Sequence, residues 1–216
     1  GKIFNRPKYQ DEKLDKKKWT LAPFTMYLGV KGKINNIDHH NYFLGNNFKE
    51  YAGKLFKNSI SLEKPYYYVN VPSKTNSETA PPGHENLFIL CPVPDMRYKR
   101  DWSDSEELAD NIISDLSERI GFDIKKNLVS KTILNPRDWK NMFNLYQGSG
   151  LSLAHNLSQV GGLRPGNKDE VFSNVYYVGS STVPGTGLPM AVISSKLVTE
   201  KINHDQQPVH KKQLTN

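Results

Sequence analysis

Asn174-Val-Tyr-Tyr-Val-Gly179-Ser-Ser-Thr-Val-Pro184-Gly185-Thr-Gly187-Leu-Pro189-Met-Ala-Val-Ile-Ser-Ser-Lys-Leu-Val-Thr-Glu200 is the stretch on which the reading of the whole chain turns. A β-branched and aromatic run stops at Gly179, and a loop dense in Gly and Pro follows. Pro189 then opens a segment with apolar residues at helical spacing, Met190, Ile193, Leu197 and Ile202. The pattern predicts a strand, a tight loop and a helix N-terminus. The first-turn N–H groups of such a helix lack intrahelical partners and carry partial positive charge, and the glycines let a ligand approach the backbone. The unit therefore suits an anionic or electron-accepting cofactor. An ordinary strand-to-helix connection carries the same punctuation, so spacing alone leaves both readings open.

Outward from this segment, composition is that of an ordinary globular chain of 216 residues, with 37% hydrophobic residues and 15 Gly. The net charge of +7 suggests nucleic acid until it is located. Residues 1–18 carry seven Lys/Arg against three acids and residues 201–216 three against one, which leaves the body nearly neutral. A fold that grips phosphate backbones carries its excess on the folded face. Basic ends on a neutral body fit solvated tails or an attraction to anionic lipid surfaces. Cys91 is the single cysteine, which excludes an intrachain disulfide or a cysteine cluster and points to a reducing, cytoplasmic setting. No apolar run approaches the ~18 residues of a membrane span. The chain starts Gly-Lys-Ile-Phe, without Met, and reads as the C-terminal part of a longer protein.

Along the chain, strands are expected over 19–30, 39–44, 66–71 and 87–93, a short helix over 48–56, and a polar turn-rich loop over 72–83. The clearest helix runs from 104 to 120. Leu108, Ile112, Ile113, Leu116 and Ile120 fall on one face, Ser103 with Glu106 has the spacing of a capping box, and Gly121 is a stop signal. Strands separated by long loops and a helix indicate an α+β domain with a largely antiparallel sheet.

The common catalytic templates fail. A nucleophile elbow would need glycine at Val183, the Gly185-Thr-Gly187 run stops short of the dinucleotide fingerprint, and the six histidines lack zinc-like spacing. His155, amid small and apolar residues, suits an active-site wall or proton exchange, though a hydrogen-bonded structural imidazole is the simpler reading. Arg164 before Pro165 suits the anchoring of a carboxylate or cofactor phosphate, and equally a surface salt bridge. Tyr66, Tyr67 and Tyr68 suit a channel for an extended apolar substrate, or sheet core.

At Val175 to Pro189 the chain resembles the C-terminal signature of bacterial and fungal type phytoene desaturases, which reads along the lines of Leu-Tyr-Phe-Val-Gly-Ala-Ser-Thr-His-Pro-Gly-Thr-Gly-Val-Pro. Further matches follow in order: Ser152-Leu-Ala-His155-Asn with Gln159 and Leu163-Arg164-Pro165, the run from Ala80 to Pro94, and Phe24-Thr-Met-Tyr-Leu-Gly29. The resemblance spans about residues 19–205. It departs at Val183, where the family commonly has His, and at Ser194-Ser195-Lys196, where a small Gly-Ala-Lys pattern is usual.

The resemblance implies FAD as cofactor, held by an N-terminal dinucleotide fold that lies outside this chain. Residues 1–145 would belong to a substrate-binding domain, 146–205 to a segment returning to the FAD-binding domain, and 206–216 to a polar tail. Gly179 and Ser180 would lie near the phosphate and ribitol portion, and Gly187, Leu188, Pro189 and Met190 near the isoalloxazine. His155, Gln159 and Arg164 would face the substrate. That substrate is a long acyclic apolar carotenoid precursor such as phytoene or diapophytoene, reached by peripheral contact with a membrane. Isomerases, ketolases and oxidases of carotenoids carry similar motifs. A non-catalytic lipid-binding fragment is the competing reading from outside the enzymes.

Overall fold

The computed structural model describes residues 6–45, 47–56 and 65–207. In chain order it contains helix α1 (Asp11–Leu14), strands β1 (Ala22–Lys31) and β2 (His40–Phe43), helix α2 (Phe48–Lys54), and strands β3 (Tyr67–Asn70) and β4 (His84–Val93). Helices α3 (Ser105–Ile120) and α4 (Ile124–Asn127), strand β5 (Leu128–Leu134), and helices α5 (Pro136–Phe143) and α6 (Leu188–Gln206) follow. The described residues group into two units, one from Leu21 to Gly150 and one combining 6–20 with 151–207. The grouping changes at 150/151, where the resemblance implies a boundary at 145/146. Residues before Leu21, assigned by sequence to the first region, group with the second.

The 21–150 unit is an antiparallel sheet in the order β2-β3-β4-β1-β5. Its α+β, antiparallel character is as the sequence indicates. The period-2 alternation of β4 follows from a sheet with one filled face: Leu87, Ile89, Cys91 and Val93 are buried and their neighbours are not. Phe24, Met26, Leu28 and Val30 of β1 and Tyr67 and Val69 of β3 complete that face. Onto it packs the apolar stripe of α3, Leu108, Ile112, Ile113, Leu116 and Ile120, all within one cluster with the strand residues. Burial pushes the Cys91 thiol up to about 12, so it sits in this core as an inert apolar group.

Two local expectations need correction. Ser103 does not cap α3, because its N–H and hydroxyl both donate to the Asp101 carboxylate, at 3.1 and 2.9 Å. The helix instead begins after Asp104, with no side-chain cap and with Glu106 and Glu107 in the first turn, where the helix dipole favours them. Gly121 ends it in the left-handed conformation, as expected. The sequence reading also passed over β5 and α5. The start of α5 has a full signal: the Asn135 side chain accepts from Arg137 and Asp138 N–H groups, Pro136 occupies the first turn, and Asp138 reaches back to the Asn135 N–H.

In the other unit the expected strand over 174–178 is absent. Strands need a neighbour to pair with, and Tyr176 makes only an isolated bridge, to Lys168, with Asp169 N–H donating to Val175 O at 2.9 Å. The expected helix is present as α6, but its apolar residues are not a buried stripe: Ser194 is its one fully buried side chain among the described residues, while Leu188 and Val192 are 86% and 69% exposed. Of the expected strand, loop and helix, only the loop and the helix are therefore present.

Leu116→Ala should cost about 2–5 kcal/mol of stability, since it opens a cavity in the filled face, whereas Asn135→Ala should cost ~1 kcal/mol through loss of a cap. Urea denaturation of the two variants checks the ranking.

Candidate functional site

From Leu151 to Gly187 the chain has only short helical turns and isolated bridges, so its backbone must be ordered by side chains. Arg164 does most of this. It is 3% exposed, and its guanidinium donates to four main-chain carbonyls: Nε to Thr182 at 3.0 Å, Nη1 to Gln159 at 3.2 Å, and Nη2 to Leu153 at 3.0 Å and Ser180 at 2.5 Å. Burial pulls its pKa below the ordinary guanidinium range, and the carbonyl dipoles compensate the charge. Arg164 is therefore a buried loop support, and makes no salt bridge among the described residues. The four bonds of its fork go to the loop itself.

Gln159 is likewise committed internally. At 5% exposed it accepts from the Lys18 N–H at 2.8 Å and donates to the carbonyls of Lys18 at 2.7 Å and Ala154 at 3.2 Å. This ties residues 18–20 to the loop, with Trp19 bridging Leu153. Farther back, Arg6 reaches Asp169 at 2.7 Å and Lys8 pairs with Glu170. Residues 6–18 are thus not the solvated tail expected of them. Of the tail expected over 206–216, residues 208–216 lie outside the described residues, and Gln206 closes α6.

His155 is exposed, and its Nε2 accepts the Thr186 N–H at 3.0 Å, which requires the proton on Nδ1. A Cβ on Gly185 would overlap His155 Nε2, so glycine at 185 is what allows the imidazole to lie against the loop. His155 is a loop support in this arrangement.

The Gly179–Pro184 turn is fastened to α6 from beneath. Asn167 Nδ2 lies 2.9 Å from Val183 O and 3.2 Å from Thr182 Oγ1 and Ser194 Oγ, and Ser194 Oγ accepts the Gly179 N–H at 3.1 Å. This hub was not foreseen from sequence. Its one sequence signal is a hydroxyl at 194 where small residues are usual. The Gly179 amide is consequently spent inside the protein, and Gly179 is left offering space, with nothing within 4 Å of a Cβ. Ser180 contributes its carbonyl to Arg164.

At the loop's end, Gly187 has φ 108° and serves as the N-cap of α6 with no side-chain cap. The first turn holds no acidic residue; Leu188 and Pro189 are exposed and Met190 is half-buried. The first backbone bond of the helix is Ala191 N–H to Gly187 O, at 2.9 Å. The N–H groups of Leu188 and Met190 thus stand in the unbonded first turn, at an open helix end with partial positive charge. These features fit a flat, electron-rich ring laid against the backbone at Gly187–Met190. No group of three or more His, Cys, Asp and Glu suited to a metal occurs among the described residues.

The second candidate surface lies in the 21–150 unit, on the sheet face away from α3. Rings step across four strands: Tyr42 to Tyr68 at 5.2 Å, Tyr68 to Phe88 at 6.5 Å, and Phe88 to Tyr27 at 5.3 Å. A groove of about 420 Å³ runs beside them, lined by Tyr27, Phe88, Val129, Thr132, Pro72 and Pro81 among others. Of the three adjacent tyrosines, only Tyr68 belongs to this row. Tyr67 is core, its hydroxyl donating to Asp115 at 2.5 Å, and Tyr66 stacks on Tyr51. Among the described residues no helix is long and apolar enough to cross a membrane.

No family model matches the chain. Curated relatives do. A zeta-carotene-forming phytoene desaturase of Myxococcus xanthus is 36% identical over 194 residues, covering 87% of this chain and 37% of the relative. A carotenoid 3,4-desaturase of Haloarcula japonica is 32% identical, covering 91% and 40%, and a phytoene desaturase of Fusarium fujikuroi is 29% identical, covering 94% and 39%. The chain spans about two-fifths of the length of these relatives.

Arg164→Lys should destabilise the 151–207 unit by at least about 2 kcal/mol, because one ammonium cannot serve four diverging carbonyls. Differential scanning calorimetry checks it. Asp169 yields a pH prediction. Hydrogen bonds from the Tyr177 hydroxyl, at 2.6 Å, and from the Phe172 and Val171 N–H groups, together with Arg6, hold its carboxyl well below the usual range. A depressed folded-state pKa stabilises above the unfolded value of ~3.9 and is lost as pH falls through the folded one. The Arg6 segment should therefore stay protected from trypsin at neutral pH and be released by Asp169→Asn.

Proposed function

Because the chain corresponds to the C-terminal portion of bacterial and fungal phytoene and carotenoid desaturases, we propose that the whole protein is a FAD-dependent desaturase of a long acyclic carotenoid precursor such as phytoene or diapophytoene. The observation that carries this is similarity over 87–94% of the chain to relatives named for that activity. FAD, when bound, supplies the acceptor for the hydride leaving the carbon beside the polyene, and loss of a neighbouring proton completes a new conjugated double bond. Gly187, Leu188, Pro189 and Met190 would hold the flavin ring, and the Leu188 and Met190 N–H groups with the helix dipole would stabilise the negative charge it gathers on reduction. Gly179 and Ser180 leave room for the phosphate and ribitol portion. Val183, standing where relatives commonly have His, carries no proton-accepting atom.

The substrate has no charge to grip, so its binding rests on apolar area at ~25 cal/mol per Å². The Tyr42–Tyr68–Phe88–Tyr27 row, its rings tilted or edge-on to one another, and the groove at its Tyr27–Phe88 end are suited to that role because they supply extended apolar area. His155, Gln159 and Arg164 act in this reading as loop supports behind the flavin rather than as direct substrate contacts. Such a substrate resides in bilayers, so the protein works in the cytoplasm, in peripheral contact with a membrane surface.

In full-length protein supplied with FAD and liposome-embedded phytoene or diapophytoene, products should absorb at progressively longer wavelength. Isomerised products without added conjugation, or products carrying new oxygen, would replace desaturation by isomerase or oxidase chemistry. Gly187→Val should abolish flavin binding or turnover, since it puts a β-branched residue at φ 108° and bulk at the ring contact. Val183→His should be tolerated.

A further inference from the structure

Ser194 is fully buried, yet its hydroxyl touches two groups of a neighbouring turn, Gly179 N–H and Thr182 Oγ1, and the Asn167 amide. The direction of each bond follows from the donors available. The Thr182 hydroxyl donates to Gly179 O at 2.9 Å, so the proton between Thr182 Oγ1 and Ser194 Oγ, 3.2 Å apart, comes from Ser194. Ser194 Oγ in turn accepts the Gly179 N–H at 3.1 Å. Gly179, Thr182 and Ser194 thus form a closed ring of hydrogen bonds, each group both donating and accepting. Asn167 Nδ2 lies 3.2 Å from both hydroxyl oxygens, and the Thr182 N–H adds a turn bond to Gly179 O at 3.1 Å. Rings of this kind polarise cooperatively and fix geometry more firmly than the same bonds taken singly.

We propose that Ser194 is a positioning residue that locks the Gly179–Thr182 turn onto α6 through this ring, so that the loop holds its cofactor-facing shape by the protein's own bonds. The inference rests on the proposed function for the meaning of that shape, though not for the existence of the lock. Alanine at 194 would take away the acceptor of the half-buried Gly179 N–H, while Asn167 Nδ2 would keep Tyr177 O, Val183 O and Thr182 Oγ1 within reach. It would also free the Gly179 amide, which the ring now withholds from any ligand.

Amide hydrogen exchange on the 216-residue chain tests the lock. Ser194→Ala should speed exchange at Gly179 by at least about ten-fold, Ser194→Thr should restore protection by returning the hydroxyl, and Ser195→Ala, at an exposed position on the same helix, should change nothing. Unaltered protection of Gly179 in Ser194→Ala would overturn the proposal. If Ser194→Ala unfolds the 151–207 unit, seen as lost protection at Asp169 and Tyr177 also, Thr182→Val takes its place, with the same expected and overturning results at Gly179. In full-length protein loaded with FAD, Ser194→Ala should shift the flavin midpoint potential and visible band shape, and Ser194→Thr should restore both. Faster exchange at Gly179 with an unmoved flavin spectrum and potential would leave the lock standing and refute the placement of this loop against the flavin.

Discussion

The Arg164 guanidinium sits among four main-chain carbonyls drawn from residues 153 to 182, and the order of the non-repetitive part of this protein depends on it. A stretch without ladders leaves its carbonyls unsatisfied, and each buried one left so costs about 1–3 kcal/mol. A single planar fork with donors fixed at set angles meets four of them at once, which a more flexible cation cannot do. The charge itself is expensive to bury, and the carbonyl dipoles offset that expense in place of a carboxylate. Gln159 repeats the device at smaller scale with its amide, and Asn167 with Ser194 extends it to the base of α6.

The 21–150 unit reaches order by the opposite route. There the backbone is satisfied by antiparallel pairing, and side chains are released to pack: one sheet face is filled by α3, and the other presents Tyr42, Tyr68, Phe88 and Tyr27. One unit thus offers fixed backbone dipoles at a helix start and the other an extended apolar surface. The proposed reaction asks for both, since an electron-accepting ring is held by dipoles and close backbone approach, and a neutral hydrocarbon only by area.

What sequence disclosed follows the same division. Where order comes from periodic burial it was legible: the core positions of β1, β4 and α3, and Gly121 as a stop, lie where alternation and helical spacing put them. Where order comes from side-chain bonds to backbone it was not. The Val175–Val178 run has strand composition but, in this chain, only a single bridge at Tyr176, and composition says nothing of partners. Arg164 next to Pro165 looks like a surface cation until its four acceptors, up to 18 residues away in sequence, are seen together. The Ser103–Glu106 spacing misled because Asp101, two residues upstream, competes for the same serine. The α5 start is legible in Asn135-Pro136 and Asp138, whose types and spacing make a capping box.

The open helix end and the lock beneath it make sense together. The field of a helix N-terminus falls off within about one turn, so its influence on a bound ring depends on ångström-scale placement. Gly187 gives the close approach but, as a residue free in both halves of φ space, no rigidity of its own. Rigidity has to come from bonds on either side of it: from His155, whose Nε2 holds the Thr186 N–H, and from Ser194, two turns along α6, which pins the start of the same loop. In this chain the glycines therefore supply access and the buried polar side chains supply position. The hydroxyl at 194 places that positioning in the protein's own bonds.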